Sequence, residues 1–158
     1  RAHMPDGQDL LEMEPEARAF YTFTRDADAA EVGFCLSDDN RFGCSPDGLV
    51  GEDGGLELKS PEPKTHVKYL LSGEIPNEYK PQVHASLIIT GREWWDFMSY
   101  ARGMPPLLIR VEPDDYTAKV RAAMDLFWKE YQDAVGKIAE LGGLPSIEHA
   151  ETTTEVMF

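Results

Sequence analysis

The chain has 158 residues and a formal net charge of −14, from 15 lysine and arginine residues against 29 aspartate and glutamate residues. Its length is typical of one domain, and 42% hydrophobic residues are enough for a buried core, which excludes a disordered chain. The charge argues against a protein that coats nucleic acid non-specifically, because phosphate contacts need local positive charge. It leaves open an enzyme on nucleic acid whose basic residues line one groove.

No apolar run approaches the roughly 18 residues that cross a bilayer, and no signal peptide is visible. Cys35 and Cys44 are too few for a disulfide framework. We therefore expect a cytoplasmic protein with no membrane partner and with both thiols in the core. A Cys35–Cys44 disulfide is the alternative, since the two residues can lie on neighbouring strands.

The first half of the chain contains one predicted helix and three predicted strands. Residues 9–26, DLLEMEPEARAFYTFTRD, repeat apolar and small side chains at three- and four-residue steps, which predicts a helix. Residues 30–38, AEVGFCLSD, have strand character. Residues 41–51, RFGCSPDGLVG, predict a second strand interrupted at Pro46, and a tight EDGG turn leads to a third, LELKSP, at 56–61.

The second half contains two helices, two strands and a long last helix. Residues 65–73 and 77–91 are helical patterns that each end at a glycine. Residues 93–101 and 106–114 are predicted strands, and 114–143 form a long amphipathic pattern with a capping aspartate. This order predicts an α/β fold with a mixed central β-sheet flanked by helices.

An acidic pair and a lysine surround the predicted hairpin. Glu57 and Lys59 are two residues apart on the third strand, so their side chains lie on one face. Pairing of the strands across the turn would bring Asp47 beside Glu57. Two close carboxylates repel, and a divalent cation relieves the repulsion. On spacing alone, the alternative is an exposed Glu–Lys pair and a solvated Asp-Gly turn, because this pattern is short and frequent by chance.

Three motifs carry a resemblance to a known family. SPDGL at 45–49, LELKSP at 56–61 and YKPQV at 79–83 resemble, in order and spacing, motifs of the lambda exonuclease family, also called the YqaJ-like viral recombinases. This family belongs to the PD-(D/E)XK nuclease superfamily. The resemblance runs from about Leu10 to Leu141. It implies a restriction-endonuclease-like PD-(D/E)XK core.

The resemblance also implies a domain organisation. We expect the nuclease domain at residues 5–143, a vector-encoded scar, RAHM, at 1–4, and a loose tail at 144–158. Family members begin with several dozen further residues that carry an arginine-containing motif for the 5′ phosphate. Nothing before Leu10 matches that motif, so we expect this N-terminal family segment to be missing.

The resemblance implies a catalytic magnesium site. Asp47 is the implied metal-bridging aspartate, Glu57 the second ligand and the Leu58 backbone carbonyl the third. Glu14, in EPEAR, is implied to complete the ligand set, although a solvated first-turn glutamate is the alternative. Lys59 is the implied catalytic lysine, which orients or deprotonates the attacking water or stabilises charge on the phosphate.

Further residues are implied around this site. Gln82 matches the family's active-site glutamine, with bridging of backbone groups as its alternative. Tyr79 beside it, together with His66 and Lys68, is expected to contact the substrate. His84 falls on another face of the same predicted helix and is interpreted as structural.

The activity implied by the resemblance is that of a phage-type 5′→3′ exonuclease on double-stranded DNA. It would use Mg²⁺, with Mn²⁺ able to substitute, and would resect DNA ends for single-strand-annealing recombination. The implied partners are double-stranded DNA ends, a single-strand DNA annealing protein and further copies in a homotrimer, in the cytoplasm of a bacterial host. The alternatives are a PD-(D/E)XK endonuclease and a catalytically weak DNA-binding or assembly module.

Overall fold

The structure, a computed structural model, describes residues 7–142, with side chains from residue 13 onward. The expectations for residues 1–4 and 144–158 lie outside these described residues. By its contacts the chain divides into two compact units, residues 1–121 and 122–158. Within the described part, no helix has both the length and the apolar character needed to cross a membrane.

The helices and strands follow the predicted order, with one difference near residue 30. In chain order they are α1 (Gly7–Arg25), β1 (Ala29–Ala30), β2 (Cys35–Leu36), β3 (Gly43–Cys44), β4 (Gly48–Val50), β5 (Gly54–Lys59), α2 (Pro63–Ser72), α3 (Lys80–Thr90), β6 (Trp94–Ser99), β7 (Leu107–Val111) and α4 (Asp115–Glu140).

A mixed five-stranded sheet lies at the centre of the first unit, in the order β1-β4-β5-β6-β7. The β5–β6 pair is parallel, while the other pairs in this sheet are antiparallel. The connection from β5 to β6 contains α2 and α3, as a parallel pair requires a long crossover. The predicted α/β fold with a mixed central sheet is confirmed.

Strand side chains alternate between the two faces of the central sheet, and each face packs in its own core. On one face, Leu56 and Leu58 of β5 pack in a core that also contains Ala17 and Tyr21 of α1. On the other face, residues of α3 pack in a second core, whose buried members are Val83, Leu87, Trp95, Phe97 and Val111. The side chains of β5 that alternate with its leucines are therefore on the α3 face.

The prediction of one continuous strand at 30–38 is wrong, because two short strands lie there. Ala29–Ala30 pairs with β4, whereas Cys35–Leu36 pairs with β3 in a separate two-stranded sheet. The partner segment is itself interrupted at Pro46, which has no backbone N–H to donate to a ladder. A break in one partner leaves the other with two short pairings.

The two cysteines lie opposite each other on β2 and β3, with Cys35 paired in register with Cys44. Both are free thiols. Both are also half-buried, so the expectation that they lie in the core is wrong. Burial and the neighbouring Cys35 raise the pKa of the Cys44 thiol to about 11, which keeps it protonated at neutral pH.

A buried carboxylate joins α1 to the sheet. Asp96 of β6 is fully buried and accepts a hydrogen bond of 2.8 Å from the Tyr21 hydroxyl. The Arg110 guanidinium donates two further bonds, of 2.8 and 2.9 Å, and Arg25 lies 3.4 Å away. These contacts satisfy a charge that would be costly to bury alone. They fix α1, which carries Glu14, against the sheet.

Helix α4 begins in the first unit with the predicted aspartate cap. The Asp114 side chain accepts hydrogen bonds from the backbone N–H groups of Tyr116 and Thr117, at 2.9 and 3.0 Å. In the second unit, the ring of Tyr131 stacks with that of Phe127 at 6.4 Å between centroids.

Candidate active site

The β4–β5 hairpin brings the acidic pair together. Gly48 pairs with Leu56, so the next position in register places Asp47 opposite Glu57. The backbone N–H of Leu58 donates to the Asp47 Oδ2 atom at 2.6 Å. This hydrogen bond lies just before the start of β4 and fixes the Asp47 side chain against β5.

The Leu58 carbonyl lies on the same edge of β5 as Asp47. On the opposite edge, the backbone N–H of Tyr100 donates to the carbonyl of Lys59 at 2.8 Å. Because successive carbonyls of a strand point to opposite edges, the Leu58 carbonyl is directed towards Asp47. The predicted third metal ligand is therefore oriented towards the first.

Glu57 is buried, with 2% of its surface exposed. The Lys59 Nζ atom lies 2.5 Å from its Oε1 atom, and the side chain of Lys59 is 25% exposed. The Gln82 amide of α3 donates to the same oxygen at 2.7 Å. Gln82 is thus positioned by the packing of α3 on the sheet face that carries Glu57 and Lys59.

Burial makes the two carboxylates hard to ionise. It raises the pKa of Asp47, and the Lys59 and Leu58 contacts offset this only in part. It also raises the pKa of Glu57, and the charge of Asp47 raises it further. A cation bound between them would reverse both effects.

The residues of this site suit magnesium better than a metal ion that is held mainly by protein side chains. Among residues 13–142, no group of three or more histidine, cysteine, aspartate or glutamate side chains is arranged to hold a metal ion. Magnesium does not need one, because it is usually bound through one or two carboxylates together with waters and substrate phosphates. Asp47, Glu57 and the Leu58 carbonyl supply such a set of oxygen atoms.

Arg18 is a residue of the site that the sequence reasoning missed. Its Nη1 atom donates to the Asp47 carbonyl, and its Nη2 atom donates to Glu14 Oε1 at 3.2 Å. Glu14 is close enough for its charge to raise the pKa of Asp47. A Cβ atom on Gly48 would lie 3.1 Å from Arg18 Nη1, so glycine favours this close approach. The spacing of Glu14 and Arg18, one helical turn apart, was the available signal.

The remaining predicted residues are those expected to contact the substrate. Tyr79 and Lys68 are at least partly exposed, whereas His66 is buried. Tyr79 lies at the start of α3 with its ring 5.0 Å from Lys59 Nζ, and Lys68 is exposed on α2. His66 is fully buried, and its ring nitrogens contact Ser99 Oγ at 2.7 Å and the Pro105 carbonyl at 2.9 Å. The expectation that His66 contacts the substrate is therefore wrong for this structure.

His84 has a structural environment. It is 1% exposed, and its Nδ1 atom lies 2.8 Å from the Thr117 hydroxyl. Burial lowers the pKa of its imidazole, which favours the neutral form. Its interpretation as a structural histidine is confirmed.

The raised pKa of Glu57 predicts how stability changes with pH in excess chelator. Between about pH 4.5, its ordinary value, and the raised pKa, the folded protein binds more protons than the unfolded chain. The free energy of unfolding should therefore fall as the pH rises through this window. Glu57→Gln removes this contribution, so urea denaturation should show a smaller loss of unfolding free energy as the pH rises above about 4.5.

The matched control for this measurement is Glu52→Gln, on the exposed turn of the same hairpin. This variant should show the same change of unfolding free energy with pH as the wild type. An equally steep fall in the Glu57→Gln variant would show that Glu57 ionises as readily in the folded protein as in the unfolded chain.

Comparison with known proteins gives matches to a family and to solved structures. The model of the YqaJ-like viral recombinase domain matches residues 10–93, more than half of the chain. A crystal structure of LHK-Exo in complex with dAMP matches with a TM-score of 0.76 and 30% identity, over 89% of this chain and 76% of that one. No curated protein matches the chain.

A second crystal structure, of an alkaline exonuclease (LHK-Exo) from Laribacter hongkongensis, matches with a TM-score of 0.64 and 29% identity. It covers 86% of this chain and 77% of that one. These matches confirm that the mixed sheet and its helices form a PD-(D/E)XK core, as the resemblance implied. The chain belongs to the family of the YqaJ-like viral recombinase domain.

Proposed function

We propose that this protein is a magnesium-dependent deoxyribonuclease that removes nucleotides from the 5′-terminated strand at the ends of double-stranded DNA. The observation that carries the proposal is the pairing of half-buried Asp47 with buried Glu57, which shares β5 with Lys59. Membership of the family supports a nuclease, and the similar LHK-Exo is described as an alkaline exonuclease. The complex of that protein with dAMP supports a DNA substrate.

The proposed ligands of the magnesium ion are Asp47, Glu57 and the Leu58 carbonyl, and Glu14, which bonds Arg18 in this structure, is proposed to join them when the ion binds. Mn²⁺ is expected to substitute for Mg²⁺. When bound, the ion supplies Lewis-acid stabilisation of the phosphate and lowers the pKa of water. Buried Glu57 and half-buried Asp47 both have raised pKa values, which is the reason that a cation should bind here. Arg18 bonds both the Asp47 carbonyl and Glu14 and so keeps these two residues close together.

The chain's own residues have separate tasks in the proposed reaction. Lys59 provides the positive charge beside the carboxylate pair, and it stabilises the negative charge that builds on the scissile phosphate or orients the attacking water. Gln82 donates to Glu57 and so holds that carboxylate in one orientation. Burial around Glu57 excludes bulk water, which strengthens these electrostatic interactions.

DNA binding must overcome the net charge of −14. Lys64 and Lys68 are exposed on α2, which begins soon after the end of β5, and they are the proposed contacts to the DNA backbone.

A homotrimer that encloses the duplex would concentrate such basic residues. The overhang left by resection would be the substrate of a single-strand DNA annealing protein. Light scattering tests the trimer directly.

A duplex labelled differently at each terminus tests the activity. We expect release of mononucleotides from the 5′-terminated strands of a linear duplex, leaving 3′ overhangs, and no cleavage of a closed circular duplex. Internal fragments from either substrate would favour the endonuclease. Binding without cleavage at any magnesium concentration would favour the DNA-binding or assembly module.

A further inference from the structure

The ammonium group of Lys59 lies over the face of an aromatic ring. Its Nζ atom is 5.0 Å from the centroid of the Tyr79 ring. This distance is within the range in which a cation is attracted by the negative face of a ring. The Lys59 ammonium therefore contacts both the Glu57 carboxylate and the Tyr79 ring.

Neighbouring aromatic side chains fix the position of the Tyr79 ring. The ring stacks on that of Phe97, with 5.7 Å between centroids and 28° between planes. Phe97 is fully buried in β6 and pairs in register with Glu57. On α2, Tyr69 meets the same ring edge-on, at 6.4 Å and 87°. The ring is thus held by a strand and a second helix.

The backbone of Tyr79 is fixed as well. Its N–H donates to the Pro76 carbonyl at 2.9 Å, and its own carbonyl accepts the N–H of Val83 at 3.0 Å. Tyr79 is the residue immediately before α3, the helix that carries Gln82. The ring over Lys59 and the amide that bonds Glu57 are therefore positioned by one helix start.

The two contacts of Lys59 differ in what a metal ion would do to them. A cation held by Glu57 competes with Lys59 for the carboxylate, which already accepts bonds from Lys59 and Gln82 at one oxygen. The ring of Tyr79 binds no metal and keeps its attraction for the ammonium. We propose that Tyr79 is a positioning residue whose ring face holds the Lys59 ammonium beside the reacting phosphate while Glu57 binds the metal. This inference rests on the proposed nuclease function.

Two substitutions separate the ring from the rest of the side chain. Tyr79→Phe keeps the ring and should retain most of the single-turnover rate at saturating DNA and magnesium. Tyr79→Leu keeps apolar bulk but removes the ring, and should slow this rate by roughly 10-fold with DNA and magnesium affinities unchanged. A Tyr79→Leu rate within about twofold of wild type, or a Tyr79→Phe variant as slow as Tyr79→Leu, would overturn the proposal.

Tyr116 provides a matched control outside the site. Its ring lies 4.5 Å from Lys80 Nζ, so Tyr116→Leu removes a similar contact between a lysine and a tyrosine. This variant should keep the wild-type rate. If Tyr116→Leu is slowed as much as Tyr79→Leu, the effect is a general loss of packing and the proposal fails.

A spectroscopic measurement tests the placement without nuclease activity. In protein with ¹³C-labelled lysine, ring currents should shift the ε-methylene protons of Lys59 upfield, both with and without magnesium, and Lys59→Arg assigns the signal. The shift should persist in Tyr79→Phe and disappear in Tyr79→Leu. An unshifted Lys59 signal in the magnesium-loaded wild type would overturn the inference. Wild-type protein that cuts no DNA but shows the shift would instead overturn only the proposed function.

Discussion

Replacement of Lys59 by methionine is expected to slow single-turnover DNA cleavage by about 10²–10⁴-fold, the usual cost of one well-placed catalytic group. Methionine keeps most of the stem and removes the charge that lies 2.5 Å from Glu57. Lys59→Arg should not restore the full rate, because the planar guanidinium of arginine is wider than an ammonium and does not readily give up a proton. Magnesium and DNA affinities should stay close to those of wild type, since Lys59 is not a proposed ligand.

The measurement is rapid-quench cleavage of a 5′-phosphorylated duplex, with metal binding titrated separately by calorimetry. Lys80→Met is the matched control, because Lys80 begins α3 and contacts the Tyr116 ring. It should keep the wild-type rate. Cleavage by Lys59→Met within a few-fold of wild type would mean that the ELK segment has no catalytic role.

Asp47→Asn is expected to abolish detectable cleavage and to weaken magnesium binding by more than about 100-fold. The amide oxygen of asparagine can still accept the Leu58 N–H that Asp47 accepts at 2.6 Å, so the hairpin should fold. The substitution removes one of the negative charges that the site offers a cation. Calorimetric titration with magnesium and duplex digestion together check this result.

Asp53→Asn makes the same change of charge on the exposed turn of this hairpin. It should leave both magnesium affinity and cleavage unchanged. Magnesium affinity of Asp47→Asn equal to that of wild type would place the metal elsewhere.

Much of the fold could be predicted because local signals were strong. The glycines that end α2 and α3, Gly73 and Gly91, both have the left-handed backbone expected after a helix. The turn between β4 and β5 fixed the register that sets Asp47 opposite Glu57. These features depend on residues close together in the chain.

Features that depend on distant residues were not predictable in the same way. The bond from Arg18 to the Asp47 carbonyl joins residues 29 apart in the chain, and a helical pattern does not identify its partner. Burial of His66 depends on Ser99 and Pro105, which come from β6 and the segment after it. The contact of Tyr79 with Lys59 requires the packing of α3 on the sheet, which no spacing specifies.

Metal dependence is the most direct test of the central claim that Asp47, Glu57 and Lys59 form a magnesium-dependent nuclease centre. The measurement is the rate at which linear duplex DNA releases nucleotides, first in excess chelator and then as each cation is titrated back. We expect no release in chelator, saturable recovery with Mg²⁺ or Mn²⁺, and little turnover with Ca²⁺, whose looser coordination positions reactants poorly. Full activity in excess chelator would contradict the assignment.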